Sequence, residues 1–237
     1  MTGIDVTVAR IREETPTVKS FLLDLKGQPF RFKPGQWVDL YVDMGYKTEV
    51  GGYSITSSPL RHDTIELAVK KRPHRPTSVF LHEQAKEGDP LIVDGGYGEF
   101  YYDSERDQGA PLVLLAGGVG ITPLISILRY VDEAHPEVET TLLYSAAVPS
   151  ELAFRQELEE MALRNPRVRC IFSVSRPNQE TWHGQVGRID LALIKEHLPT
   201  CEAWFYLCGP PAMLDDLPPL LHKLGVDPSR IRMERWW

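Results

Sequence analysis

The stretch Leu114-Leu115-Ala116-Gly117-Gly118-Val119-Gly120-Ile121-Thr122-Pro123-Leu124 joins an apolar strand to a glycine loop and then to a helix. Its glycines allow a tight turn and leave backbone N–H groups open to a ligand. Thr122 is a good N-cap residue and Pro123 suits a first helical turn, so a helix is expected to begin there with its positive dipole end facing the loop. The pattern is typical of a phosphate-binding turn, although an ordinary strand-to-helix turn has the same glycines. Its spacing matches neither G-x-G-x-x-G nor the P-loop.

Length and charge narrow the class of protein. The 237 residues, 42% of them hydrophobic, suffice for two modest domains or one large domain. A net charge of −7 argues against nucleic acid or an anionic membrane as the main partner. No apolar run approaches 18 residues and no signal peptide is evident, so we expect a cytoplasmic protein without membrane insertion.

The three cysteines, Cys170, Cys201 and Cys208, are far apart in the sequence. This spacing is typical of reduced thiols in a reducing compartment. Because no C-x-x-C pair or cysteine cluster is present, we expect no iron–sulfur centre and no structural zinc, and we assign no metal ligand.

The first half of the chain is rich in short strands. Residues 4–11 and 18–25 alternate apolar and polar side chains, and turn residues such as Gly51-Gly52 separate further apolar stretches. Many short strands predict an antiparallel β-barrel, here assigned to residues 1–105. The remaining predicted elements are strands at 37–42, 53–56, 64–70 and 90–94 and a helix near 78–86.

The second half alternates strands and helices. Its strands are continuous apolar runs, as in a parallel sheet covered on both faces. We predict a doubly wound α/β domain over 110–237, with the polar run 103–109 as a linker and ligands at the carboxyl ends of the strands. Ser150 is expected to cap the second helix and Gly225 to end the fourth. The predicted strands are 111–116, 140–146, 168–175, 203–208 and 231–235, and the predicted helices are 123–134, 150–164, 190–198 and 211–224.

The stretch Gly51-Gly52-Tyr53-Ser54-Ile55-Thr56-Ser57-Ser58-Pro59 places an aromatic ring beside several hydroxyl groups. A flat heteroaromatic ligand could stack on Tyr53 while the hydroxyls bind its polar edge. A strand end followed by a serine-rich turn would give the same residues.

An ordered series of motifs spans nearly the whole chain and resembles the ferredoxin–NADP reductase superfamily. The series is Pro34-Gly35-Gln36, Tyr53-Ser54-Ile55-Thr56-Ser57, Val69-Lys70-Lys71, Gly88-Asp89, Gly117 to Pro123, Cys208-Gly209-Pro210-Pro211 and an aromatic C-terminus. Within that superfamily, Gly51 to Ile55 and the ending Glu234-Arg235-Trp236-Trp237 are most similar to the oxidoreductase NAD-binding domain-containing protein 1 group.

This resemblance implies that the barrel binds FAD, with Tyr53 against the isoalloxazine and Ser54 near its N5 edge. The residues assigned to FAD are Tyr53, Ser54, Ile55, Ser57, Val69, Lys70, Lys71, Arg75, Thr77 and Ser78.

Two positions depart from the superfamily pattern. Gly51 stands where an arginine usually pairs with the flavin phosphates, and Arg75 stands where a phosphate motif ahead of Ser78 has glycine. Because a diphosphate needs cationic partners or backbone donors, our hypothesis is that Arg75, assisted by Lys70 or Lys71, replaces the missing arginine. The alternatives are a solvated basic loop and weakly held, dissociable flavin.

The resemblance also implies an NAD(P) site in the second domain. Cys208 would guide the nicotinamide ring sterically and not act as a nucleophile, because no histidine or cation lies nearby in sequence to form a thiolate. Ser175-Arg176 resembles pairs that bind a 2′-phosphate in NADP-using relatives, but an exposed loop before Pro177 is the alternative, and the choice of coenzyme stays open. The residues assigned to the coenzyme are Gly117, Gly118, Gly120, Thr122, Pro123, Ser175, Arg176, Cys208, Gly209 and Pro210.

The C-terminus carries two further candidates. In the superfamily a terminal aromatic residue often covers the flavin face, which makes Trp237 a candidate lid; a strand packed on the core is the alternative, chiefly for Trp236. Glu234 is either a carboxylate near flavin N5 or a surface acid. The residues assigned to catalysis are Ser54, Cys208, Glu234 and Trp237.

Together these observations predict an FAD-dependent NAD(P)H oxidoreductase that passes a hydride to flavin N5 and then electrons to a separate redox protein, a free flavin or a quinone. The alternative, favoured by Gly51, is a non-catalytic or regulatory nucleotide-binding module with weak or lost FAD binding. A serine or cysteine hydrolase is poorly supported, because Ser54 and Cys208 lack a G-x-S-x-G context and an evident histidine partner.

Overall fold

The computed structural model describes residues 3–107, 109–178 and 180–236, which form two compact units. The first unit holds the chain up to Tyr102 together with Ile125–Tyr130, and the second holds Asp103–Leu124 and the chain from Val131 onward. No helix within the described residues is long and apolar enough to cross a bilayer.

The first unit is an antiparallel six-stranded sheet in the order β4-β3-β6-β1-β2-β5. Beyond the end of β4, Ile55 pairs with Leu67 of β5, so the two edges of the sheet meet. This closure confirms the predicted antiparallel barrel. Its elements are β1 (Ile4–Thr15), β2 (Val18–Asp24), β3 (Trp37–Asp43), β4 (Thr48–Ser54), β5 (Thr64–Lys70), α1 (Pro76–Glu83) and β6 (Pro90–Tyr97).

Strand β4 begins earlier than predicted, so Gly51 and Gly52 lie inside it and do not form a turn. Opposite them on β3, Val38 pairs with Tyr53 and Leu40 pairs with Gly51. Directly paired residues of antiparallel strands share a face. Because Val38 and Leu40 are core residues, Gly51 and Tyr53 lie on the core-facing side of the strand.

The second unit is a parallel six-stranded sheet in the order β10-β9-β8-β7-β11-β12, with helices between its strands. This confirms the predicted doubly wound domain; the short strand β10 was not predicted. All six residues of β7 are buried, as expected for a central parallel strand. The elements are α2 (Ser104–Asp107), β7 (Leu112–Gly117), α3 (Ile121–Ala134), β8 (Thr140–Ala146), α4 (Arg155–Arg164), β9 (Val168–Val174), β10 (Gln185–Val186), α5 (Leu191–His197), β11 (Trp204–Cys208), α6 (Pro211–Lys223) and β12 (Ile231–Glu234).

The end of α6 is as predicted. Gly225 has φ of 86° and donates its N–H to the His222 carbonyl, while Val226 donates to the Leu221 carbonyl. These two bonds satisfy terminal carbonyls of the helix in a Schellman arrangement, which glycine adopts without strain.

The two predicted N-caps are wrong. Helix α3 begins at Ile121, after a 3-10 turn over Gly118–Gly120, and the Thr122 hydroxyl donates to the Val119 carbonyl instead of accepting a backbone N–H. Ser150 lies in another 3-10 turn, Pro149–Glu151, and α4 begins only at Arg155. The chain between them bends through Phe154, whose φ is 59° and whose side chain is buried. That burial overrides the local capping signal.

The predicted linker contains α2 and a buried acid. The carboxylate of Asp107 accepts hydrogen bonds from the Tyr206 hydroxyl at 2.6 Å and from Arg106 Nε at 2.7 Å. Arg106 also donates to the Tyr206 oxygen at 2.7 Å. The run after Asp103 is therefore attached to β11 and is not a free tether.

Candidate functional site

The Tyr53 ring is held in place by a helix. Its hydroxyl lies 2.8 Å from the Thr77 hydroxyl in the first turn of α1, and either oxygen can donate. Burial raises the pKa of the Tyr53 phenol, while the Thr77 bond and the nearby Arg75 charge oppose that shift. Tyr53 is therefore a neutral, half-buried aromatic residue of fixed orientation, which is what a stacking platform requires.

Gly51 makes this orientation possible. A Cβ atom at position 51 would lie 2.6 Å from Thr77 Oγ1 and 2.8 Å from both Cε2 and the hydroxyl oxygen of Tyr53. The ring thus extends back along β4 and covers position 51. A larger residue there, including the arginine usual in the superfamily, requires the ring to move.

The start of α1 offers donors for a phosphate group. Within the described residues no side chain caps this helix, so the N–H groups of the buried residues Thr77 and Ser78 are not taken by a cap, and Pro76 has no N–H. Arg75 is the residue immediately before the helix, and its charge acts on the Tyr53 phenol. The donors and the guanidinium fit one diphosphate group, so the residues present are compatible with FAD.

The hydroxyl groups near Tyr53 differ in availability. Thr56 Oγ1 donates to the Glu66 carboxylate at 2.7 Å, and Ser57 Oγ accepts the Glu66 N–H at 3.0 Å. In the same unit, Ser126 donates to the Ser57 carbonyl. Within the described residues the Ser54 hydroxyl has no hydrogen-bond partner, so it is the group of this cluster that remains available to a ligand.

Other predicted FAD contacts have structural partners. Lys71 Nζ lies 2.7 Å from the Glu83 carboxylate, which places it against α1. The buried Ser78 hydroxyl binds the backbone of Arg72 and Arg75 and shapes the loop before the helix. Ile55 and Val69 are core residues, and Lys70 ends β5. These residues support the loop, whereas Tyr53, Thr77 and Arg75 come together at the start of α1.

In the second unit, the sheet register places the three predicted coenzyme contacts at one edge. Cys208 pairs with Ala116 and with Glu234, Ala146 pairs with Val174, and Gly117 pairs with Ser145. The glycine loop and the Cys208-Gly209-Pro210 turn flank β7 and β11, where the strand order reverses. Ligands of doubly wound folds bind in the crevice at such a switch point.

Most glycines at this edge are needed because neighbouring atoms leave no room for a Cβ atom. A Cβ at Gly117 would meet Met213 Sδ at 2.6 Å, and one at Gly120 would overlap the Cys208 carbonyl. Gly209 likewise faces Met213. Gly118 is different, because its φ is 54° and the space beside it is open. Gly118 is therefore where the loop backbone is accessible to a phosphate.

Cys208 and Glu234 are neighbours at the ends of β11 and β12. Burial, with the nearby Glu234 charge, raises the pKa of the Cys208 thiol, so this side chain stays neutral. Burial also raises the pKa of Glu234 to about 7. Glu234 is therefore not an ordinary surface acid, and its carboxyl group exchanges a proton near neutral pH.

The loops after β8 and β9 hold contacts that the sequence pattern did not reveal. Arg176 donates its backbone N–H to the Ala147 carbonyl, next to Ser175. Glu180 accepts the Ser150 N–H and hydroxyl, both at 2.9 Å. This contact joins residues 30 positions apart on two loops, and no local motif predicts it. The candidate lid Trp237 lies outside the described residues.

Comparison with known proteins agrees with this arrangement. The model of the oxidoreductase FAD-binding domain matches residues 5–102, and that of the oxidoreductase NAD-binding domain matches residues 114–218. The FAD/NAD-binding domain of nitric oxide dioxygenase from Vibrio cholerae is similar in structure, with a TM-score of 0.87 at 26% identity over 99% of this chain and 98% of that one. Fold and domains define a ferredoxin reductase-like protein with FAD- and NAD-binding domains.

Two further relatives are similar over 97% of this chain. Oxidoreductase NAD-binding domain-containing protein 1 of Bos taurus is 35% identical over 250 residues, covering 97% of this chain and 79% of that protein. The glycine betaine monooxygenase reductase subunit of Chromohalobacter salexigens is 30% identical, covering 97% of this chain and 63% of that protein. The chain belongs to the oxidoreductase NAD-binding domain-containing protein 1 family of the ferredoxin–NADP reductase superfamily.

Proposed function

We propose that the chain is an FAD-dependent NAD(P)H oxidoreductase that supplies electrons to a separate acceptor. When bound, FAD supplies the redox chemistry by accepting a hydride at N5 and releasing electrons singly or in pairs. The observation that carries the proposal is the cluster of Tyr53, Thr77 and Arg75 at the start of α1, which retains an aromatic platform and a cation although residue 51 is glycine.

The first unit orients the flavin in this proposal. Tyr53 supports the isoalloxazine ring, held by Thr77, and the Ser54 hydroxyl donates to the polar edge near N5. Arg75 and the first N–H groups of α1 bind the diphosphate. Ser78 keeps the loop in shape through its bonds to Arg72 and Arg75.

The second unit orients the coenzyme. The backbone at Gly118 and the start of α3 bind its diphosphate, and the neutral Cys208 side chain sets the position of the nicotinamide ring by contact. Glu234 holds a proton near pH 7 at its carboxyl group.

The acceptor is proposed to be a redox protein, a free flavin or a quinone. A redox protein is supported by the related reductase subunit of glycine betaine monooxygenase, whose name describes one component of a larger system. The free cysteines Cys170, Cys201 and Cys208 support a reducing compartment such as the cytoplasm.

A second candidate function is a nucleotide-binding module that holds FAD weakly or not at all. Gly51 favours it, because the usual cation at this position is absent and the Tyr53 ring occupies the space. Purification followed by reconstitution with FAD distinguishes the two. The reductase should bind about one FAD per chain and then reduce ferricyanide with NADH or NADPH. A colourless protein that binds no added FAD would exclude the reductase.

A further inference from the structure

Three residues with polar side chains, Arg176, Ser150 and Glu180, lie in the loops that follow the carboxyl ends of β8 and β9. Arg176 follows β9 and is tied by its backbone to Ala147, which follows β8. Ser150 lies three residues after Ala147, and its N–H and hydroxyl each bind one oxygen of Glu180. Glu180 itself closes a turn with Pro177, one residue after Arg176.

This edge is where the adenosine ribose of a dinucleotide lies in a doubly wound fold. The diphosphate binds at the glycine turn after the first strand, here β7, and the ribose 2′ position lies near the end of the next strand, here β8. A carboxylate there favours a 2′-hydroxyl, whereas a cation accommodates a 2′-phosphate. This chain has one of each, Glu180 and Arg176.

The hydrogen bonds of Ser150 determine which of the two ligand groups this edge can accept. A backbone N–H and a hydroxyl pointing to one place form a small anion-binding pair, and the carboxylate of Glu180 already occupies both donors. A 2′-phosphate that approached the Ser150 donors would meet this carboxylate. The guanidinium of Arg176 forms no ion pair within the part of the chain that the structure describes, so its charge is available to an anionic ligand.

We propose that Glu180 is an internal anion that takes the donors a 2′-phosphate would use, so that the site selects NADH over NADPH. The inference rests on the proposed function, because it assumes that the second unit binds the coenzyme. Glu180 thereby acts as a specificity-determining residue, with Ser150 as the residue that positions it.

The test measures nucleotide binding without hydride transfer. Adenosine 2′,5′-bisphosphate and 5′-AMP, which differ by the 2′-phosphate, are titrated by calorimetry into the full chain and into Glu180→Gln. This substitution keeps the shape and removes the charge. Glu137→Gln is the matched control, because Glu137 precedes β8 at the opposite end of the strand. Adding Arg176→Ala to Glu180→Gln checks which cation binds the phosphate.

We expect Glu180→Gln to raise the affinity for the bisphosphate about fivefold and to leave 5′-AMP unchanged, while Glu137→Gln changes neither. Adding Arg176→Ala should reverse the gain. If Glu180→Gln leaves the bisphosphate unaffected, or shifts both ligands equally while the parent chain binds 5′-AMP, the selectivity proposal is wrong and the coenzyme site stands. If no variant binds either nucleotide, the coenzyme site is wrong as well.

Discussion

The hydroxyl of Tyr53 lies 2.8 Å from that of Thr77, and the ring covers the place where a side chain at position 51 would lie. In the proposed site, the glycine at the position of the superfamily's usual arginine leaves room for the Tyr53 ring. Tyr53 lies over Gly51 and meets α1, and Arg75 stands at the start of that helix. In the proposed site the cation has moved from β4 to the loop before α1.

Substitutions at the Tyr53 contact should weaken flavin binding. Gly51→Ala forces the ring away from Thr77, and Thr77→Val removes its hydrogen-bond partner, so each should lower FAD affinity about threefold to tenfold. Thr77→Ser keeps the hydroxyl and serves as the control. Fluorescence titration with FAD measures the effect; unchanged affinity in Thr77→Val would show that Thr77 does not position the ring.

Arg75→Ala should lower FAD affinity about tenfold and make binding less sensitive to salt, because a diphosphate loses a cationic partner. The comparison is Arg31→Ala, which removes an exposed arginine elsewhere in the same unit. The measurement is the FAD dissociation constant over a range of ionic strength. If the two variants have the same FAD affinity and the same dependence on ionic strength, Arg75 does not bind the diphosphate.

Two glycines of the loop after β7 should respond differently to alanine. Gly120→Ala places a Cβ on the Cys208 carbonyl and should destabilise the second unit by about 2 kcal/mol or more. Gly118→Ala meets open space and should cost about 1 kcal/mol through its φ of 54°, with weaker NADH binding. Thermal unfolding and coenzyme titration measure the two effects. A larger loss of stability in Gly118→Ala than in Gly120→Ala would show that Gly118, not Gly120, is required for packing.

Glu234 should make stability depend on pH. Its folded pKa of about 7 lies above the unfolded value near 4.5, so its contribution is fully present below about pH 4.5 and is lost as the pH rises through 7. Glu234→Gln removes this dependence and should be more stable than the parent above pH 7, by about 1–2 kcal/mol after allowance for solvent screening. Urea unfolding at pH 5 and pH 8 measures it; an equal difference at both values would contradict the raised pKa.

The barrel and the doubly wound sheet were predictable because their signals are repeated along the chain. Apolar and polar residues alternate in β1 and β2, as in an antiparallel sheet with one buried face. Strand β7 is a continuous apolar run, as in a parallel sheet covered on both faces. The Gly225 helix end was predictable because a positive φ there is a local demand of the backbone.

The wrong predictions concern contacts that outweigh a local pattern. Ser150 has good capping chemistry, but it binds Glu180 on a distant loop, and buried Phe154 delays α4. Asp107 lies in a polar run, yet Tyr206 and Arg106 bind its carboxylate in the interior. Gly51 was predicted to lie in a turn because glycine is common in turns. The sequence does not show that the ring of Tyr53, two positions along the same strand, covers Gly51.

The most direct test of the proposed reductase is anaerobic titration of the FAD-reconstituted chain with NADH and, separately, with NADPH. We predict that the flavin absorbance near 450 nm bleaches at about one equivalent of coenzyme and returns when an oxidant is added. A flavin-loaded chain whose absorbance is unchanged by an excess of either coenzyme would contradict the assignment.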